Sequence, residues 1–145
     1  MPNVVVSDTV LPSYALRLRP QKDQRAQMHL TPTFLFNLIN AGPTWSVWID
    51  DRLVALGGHT PVWAGRTILW GFLSQEAGPA MPVMTKAVMR RLETLASEFP
   101  RIEAYADVNH DMAGRWLRLL GFDCVAKLAH FYGRDTYALY ERVRS

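Results

Sequence analysis

The chain is poor in cysteine: Cys124 is the only one among 145 residues. An internal disulfide is therefore excluded, and so is a zinc cluster built on several thiolates. No stretch approaches the roughly eighteen consecutive apolar residues of a membrane-crossing helix, so no span is expected. The opening MPNVVVSDTVLPSY has neither the basic start nor the apolar run of a secretory signal, and an intracellular, reducing location, by default cytoplasmic, is the expectation. Internal repeats, low-complexity tracts and dividing linkers are missing as well. That leaves one domain over 1–145, with 1–13 as a looser N-terminal segment. No two histidines have metal-ligand spacing, and no metal is expected. The excess of positive charge is only +3. It suits an anionic ligand such as a nucleotide cofactor, but it is too small to argue for DNA or RNA, and nucleic acid ranks last among partners.

What remains is an ordinary globular composition, 49% hydrophobic and 11% aromatic, with enough chain for one proper core. Tyr14–Pro20 alternates with its leucines on one face and reads as a strand ended by Pro20. Gln21–Leu30 is polar and compatible with a helix, and His29 falls near its end. Thr33–Ala41 is apolar and stops at Gly42-Pro43. Thr44–Ile49 and Leu53–Gly58 flank the turn Asp50-Asp51-Arg52 and read as a hairpin. Arg66–Leu73 is a third strand, rich in aromatic and β-branched types.

The period then changes. In Pro79–Phe99 the residues Met81, Met84, Val88, Leu92, Leu95 and Phe99 recur at spacings of three and four, which predicts an amphipathic helix. Arg101–Val108 alternates again as a strand. Asp111–Leu120 places Ala113, Trp116, Leu117 and Leu120 on one helical face, and Gly121 suits its C-terminal cap. Cys124–Tyr132 and Thr136–Val143 read as strands joined by the turn Gly133-Arg134-Asp135. Arg66–Leu73, the long helix and Arg101–Val108 form a βαβ unit, which demands parallel, right-handed pairing. The hairpins on either side make the sheet mixed.

Several residues admit two readings. Gln75-Glu76-Ala77-Gly78-Pro79-Ala80 joins a strand to a helix, where small residues let a backbone approach phosphates and helix-terminal N–H groups hold negative charge. Pro79 and Pro82 each remove a donor there, and Glu76 adds a negative charge. The plainer reading is a turn with proline pre-set for a helix start. His110 falls just past a parallel strand, where ligands bind in open α/β sheets, and its ordinary pKa suits a general base. It reads equally as an exposed turn residue before a helix capped by Asn109 or Asp111. His130 could face a cleft or pack in the sheet, and His59 looks like a loop residue. Ser74 and Cys124 have no recognisable base partner. Trp45, Trp48, Trp63 and Trp70 cluster on central strands, where filling a core is the better reading than stacking on bases.

The order of elements from Tyr14 to Val143 resembles the GNAT acyltransferase fold, an α/β mixed sheet of six to seven strands flanked by helices with a central parallel βαβ unit. The most specific stretch is Glu103–Phe122, EAYADVNHDMAGRWLRLLGF, in which Gly121-Phe122 stands where the family's Gly-Phe pair stands. Gln75–Ala80 fits the family's pyrophosphate loop. The resemblance implies an acyl-CoA-dependent N-acyltransferase, with acetyl-CoA or another acyl-CoA as donor and a small-molecule or protein amine as acceptor. It assigns cofactor contacts to Phe72, Leu73, Ser74, Gln75, Gly78, Ala80 and Asn109. The resemblance puts His110 where the family's asparagine usually stands, with Asn109 one place earlier, and makes it the candidate catalytic residue. The family's proton donor to sulfur is commonly a tyrosine, but counting back from Gly121-Phe122 gives Leu117 with Trp116 beside it, and neither can donate in that role. Arg115-Trp116-Leu117 and Leu69-Trp70 are also similar to GNAT-like phage internal virion or hypothetical proteins. That likeness implies the alternative, a catalytically silent, virion-associated structural or binding protein.

Overall fold

The computed structural model describes residues 3–18 and 30–144. They form one seven-stranded mixed sheet: β1 (Val4–Ser7), β2 (Thr44–Ile49), β3 (Arg52–Trp63), β4 (Arg66–Leu73), β5 (Arg101–Asp107), β6 (Asp123–Tyr132) and β7 (Asp135–Val143). In space the order is β1-β2-β3-β4-β5-β7-β6. Only β4 and β5 run parallel, as the crossover between them requires. Every other neighbouring pair is antiparallel.

Helix α1 (Pro32–Ala41) covers one face of the sheet. Thr31 caps it by accepting the Phe34 N–H at 3.1 Å, and Pro32 takes the first turn, where its missing N–H costs nothing. Its Leu35 packs with Leu53, Leu56 and Phe72. Helices α2 (Met81–Leu95) and α3 (Asp111–Leu119) cover the other face. Met84, Val88 and Leu92 of α2 meet Leu69, Leu73 and Ile102 of the strands, in one cluster with Leu117, Leu120 and Phe122. Gly121 adopts φ +94°, and the Phe122 N–H reaches back to the Leu117 carbonyl at 3.0 Å, which closes α3.

Two expectations fail at the N-terminal end. Tyr14–Leu18 is not a strand: Pro12–Leu16 is a 3-10 turn whose Ala15, together with Leu18, is buried against α1. Residues three apart share a face in such a turn, and Pro12 supplies its fixed first φ; Leu16, expected on the buried face, is 76% exposed. The first strand is instead Val4–Ser7, inside the segment expected to be loose, where it pairs with β2 from Val4↔Ile49 to Ser7↔Ser46. The polar stretch 21–29, with His29, lies outside the described residues. β3 is also longer than expected and carries His59 as a buried strand residue, not a loop residue.

Candidate active-site cleft

β4 and β5 are in register at only three pairs, Arg66↔Arg101, Thr67↔Ile102 and Ile68↔Glu103, and then part. At the joined end Glu103 accepts Arg66 Nε at 2.8 Å and Arg101 Nε at 2.6 Å, while Arg101 also donates to Glu141 at 2.8 Å. Burial alone would raise the Glu103 carboxyl, but the two guanidinium groups hold it below the usual carboxylate value. Beyond that clamp the parting strands open a cavity of about 240 Å³. The strands' C-terminal halves form its sides, and Ala113, Trp116 and Leu117 of α3 close it from above. Trp116 Nε1 donates to Thr85 on α2 at 2.9 Å, which ties the two helices together over the cleft.

Gly57 and Gly58 in β3 make room for this cavity's indoles. A Cβ on Gly57 would meet the Trp45 ring at 2.5 Å, and one on Gly58 would meet the Trp70 ring at 2.7 Å. Trp45 and Trp70 both line the cleft. Core filling therefore describes Trp45, which is buried, but not Trp63, which is 66% exposed.

Of the cofactor-binding and catalytic candidates, the cleft brings together Phe72, Leu73 and His110. His110 is not an exposed turn residue: it is 6% exposed and is itself the first, half-in residue of α3, with no side-chain cap from Asn109 or Asp111. Its backbone N–H donates to the Asp107 carbonyl at 2.9 Å. Asn109 is exposed, and its N–H donates to Asp107 Oδ1 at 2.9 Å. Leu117, without a proton to give, lies buried in the cleft wall. His130 sits exposed at φ +53° in an irregular part of β6 and does not line the cleft. His59 is buried at 2.8 Å from Thr67 Oγ1; burial lowers its pKa, with Glu98 opposing and Arg91 reinforcing.

Ser74, Gln75, Gly78 and Ala80 fall in the loop that continues β4 into α2. The loop spends part of its own hydrogen-bonding capacity. The Glu76 N–H goes to Ser74 Oγ at 3.1 Å, Ala77 to the Ser74 carbonyl at 3.1 Å, and Ala80 to the Ala77 carbonyl at 2.9 Å. Pro79 has no donor, so the N–H groups of Gln75 and Gly78 are the ones left for an anion. A Cβ on Gly78 would meet nothing within 4 Å, so the space above that residue is open. The Glu76 charge is turned away from this use by an ion pair with Arg52 at the β2–β3 hairpin.

Two functional candidates were not singled out in the sequence. Asp107, at the last position of β5, lines the cleft at 6% exposure, and its buried Oδ2 has no hydrogen-bond partner. Tyr137 lies opposite it on β7 in the pair Asp107↔Tyr137 and is buried in the same wall. The buried Nε1 of Trp70 is likewise without a partner. Among the cleft-lining residues, only Asp107, His110, Tyr105 and Tyr137 can exchange a proton.

No protein-family model matches the sequence, and a search of curated proteins gives no match. Solved structures match throughout. The ribosomal-protein-S18-alanine N-acetyltransferase from Escherichia coli aligns with a TM-score of 0.73 at 12% identity, over 99% of this chain and 95% of its own. The ribosomal-protein-S5-alanine acetyltransferase from Vibrio fischeri aligns at 0.69 and 14% identity, over 99% and 96%. A GNAT family acetyltransferase from Elizabethkingia anophelis with acetyl-CoA bound aligns at 0.67 and 9% identity, over 98% and 99%. The fold is thus that of GNAT acetyltransferases. Among the described residues, no helix is long and apolar enough to cross a membrane.

Proposed function

We propose that the chain is an acyl-CoA-dependent N-acyltransferase that passes an acyl group, acetyl in the simplest case, directly to an amine. The observation that carries this reading is the parting of β4 from β5 beyond Ile68↔Glu103, which leaves a cavity between parallel strand ends beside the loop before α2. Ligands of open α/β sheets bind outside such strand ends. The residues fit an acyl-CoA. Gln75 and Gly78 offer backbone donors to a pyrophosphate at the start of α2, and Phe72 and Leu73 form the adjoining wall. Ser74 follows the end of β4, Ala80 keeps the helix start small, and Asn109 follows the end of β5 by two residues. The orphaned Trp70 Nε1 suits a carbonyl oxygen. The fold alone does not establish an activity, so the weight rests on this site.

What the acyl-CoA supplies is a thioester. The amine must lose a proton before its nitrogen bonds to the carbonyl carbon; the carbon–sulfur bond then breaks, and a second amine proton leaves as the thiolate is protonated. Amide, thiol and one released proton balance the reaction. His110, buried at the start of α3, is the proton acceptor in this reading. Leu117 cannot protonate the thiolate. Tyr137, a buried residue of the cleft lining, takes that part in this reading.

The test is a calorimetric titration of acetyl-CoA into wild type and Gly78→Val. Wild type is expected to bind. In the variant the added Cβ meets no protein atom within 4 Å, so the fold should be unchanged while binding falls at least tenfold. Absence of binding to wild type overturns the reading. Equal binding by both proteins overturns the assignment of the loop.

A further inference from the structure

The acyl-CoA reading says nothing about which amine is acylated, and the open end of the cleft does. Asp107 Oδ1 is satisfied by the Asn109 N–H, but Oδ2 is buried and without a partner. An unmatched carboxylate oxygen is costly to bury, and a ligand group that completes it would relieve that cost. The complement of a carboxylate oxygen is a cation or a hydrogen-bond donor.

Asp107 also borders a second hollow of about 350 Å³. The two sides differ in charge. The hollow carries Arg115, Arg118 and Lys127 against the single further carboxylate of Asp111, a lining of positive balance that disfavours a cation. On the cleft side there is no Lys or Arg in the lining, and aromatic rings follow one another instead. Tyr105 stacks on Phe131 with centroids 4.8 Å apart and planes at 16°, and Phe131 lies 5.3 Å from Tyr137. Tyr105, Asp107 and Tyr137 share one face of the sheet, because Asp107 pairs with Tyr137 and Tyr105 lies two residues before Asp107. Ring faces attract ammonium groups and cover apolar bodies. Phe131 is 47% exposed, so the array reaches the surface.

We infer that the acceptor is a small primary amine with an aromatic body, its ammonium paired with Asp107 Oδ2 and its ring laid along Tyr105, Phe131 and Tyr137. The inference rests on the transferase reading for its catalytic meaning, but the receptor itself can be measured without turnover. Amines with a carboxylate next to the ammonium are disfavoured, because that group would meet Asp107. Polyamines are disfavoured as well, because their further charges would lie against apolar walls.

The experiment is direct calorimetric binding of 2-phenylethylamine, phenylalanine and spermidine to the full chain, with acetyl-CoA titrated separately. Phenylethylamine is expected to bind at least tenfold tighter than the other two. Asp107→Asn should weaken it tenfold or more with acetyl-CoA affinity unchanged, which is the scale of a lost charge-assisted hydrogen bond. Phe131→Ala, at an exposed position where folding is not at risk, should weaken phenylethylamine and leave acetyl-CoA unaffected. No binding of phenylethylamine, or equal binding by Asp107→Asn and Phe131→Ala, overturns the inference. If acetyl-CoA binds while phenylethylamine does not, the transferase reading stands and this inference falls. If the amine binds through Asp107 and acetyl-CoA does not bind, the receptor stands and the transferase reading falls.

Discussion

The two ends of one strand pair are built on opposite terms. Where β4 and β5 are joined, the buried Glu103 carboxylate is matched on both oxygens, by Arg66 and Arg101, and Glu141 extends the network. Where they part, the buried Asp107 carboxylate is matched on one oxygen only. Both residues lie on β5 and point to the same face, since their positions differ by an even number. Burial is also alike, at 4% and 6% exposure. The difference between them is pairing, and pairing separates a group that holds the fold from one that awaits a ligand. The clamp fixes the hinge of the V from which the cleft opens, so stability at one end sets geometry at the other.

The largest expected effect lies at the open end and is chemical. His110→Ala should lower the rate of thiol release by about a hundredfold, the size of a lost general acid–base contribution. Acetyl-CoA affinity should change little. Comparing kcat with the acetyl-CoA Kd of both proteins checks this, and unchanged turnover would move the proton-accepting role away from His110.

At the joined end the effect is on stability. Glu103→Gln should cost about 1–3 kcal/mol in urea unfolding, since it removes a charged acceptor and leaves Arg66 and Arg101 without their carboxylate. The pH dependence sharpens the contrast. The folded-state pKa of Glu103 is depressed below its ordinary value of 4.5. Its contribution is therefore fully present above 4.5 and is lost as pH falls through the folded value. Wild type should lose stability in that acid window, and Glu103→Gln should lose less. Parallel curves for the two proteins would show that the clamp does not act through this charge.

How much of this was legible depends on the kind of pattern that carried it. The α2 stripe of Met84, Val88 and Leu92 and the alternation in β4 and β5 are local periodicities, and the structure places them as expected. Gly121 could be read because a left-handed helix exit favours glycine. The reading of Tyr14–Pro20 as a strand misled because so short an alternation does not separate a strand from a tight turn, and four valine-rich residues at Val4–Ser7 gave too short a signal. Tyr137 could not be found in the sequence, because its place opposite Asp107 exists only once β7 inserts between β5 and β6. Asp107 had a usable signal, since it closes the second strand of the parallel pair, where such sheets bind ligands. It shares the polar side of the β5 alternation with Glu103 and Tyr105, the side a half-buried strand usually turns to solvent, whereas both carboxylates are buried.

The smallest effect is the one that tests the comparison itself, and it has the opposite sign to the clamp. Asp107→Asn keeps an oxygen to accept the Asn109 N–H and replaces the unmatched carboxylate oxygen with a neutral NH₂ group. An unmatched neutral donor is cheaper to bury than an unmatched charged acceptor. The variant should thus be at least as stable as wild type, with a gain of up to about 1 kcal/mol in urea unfolding. That would be a gain in stability at the cost of the site, the usual direction where a fold carries an unsatisfied group for function. The same substitution in kind, acid to amide, would then destabilise at residue 103 and leave the fold intact or firmer at residue 107. If Asp107→Asn instead costs about as much as Glu103→Gln, the carboxylate is a structural group like the clamp, and the two ends of the strand pair do not differ as their hydrogen bonding implies.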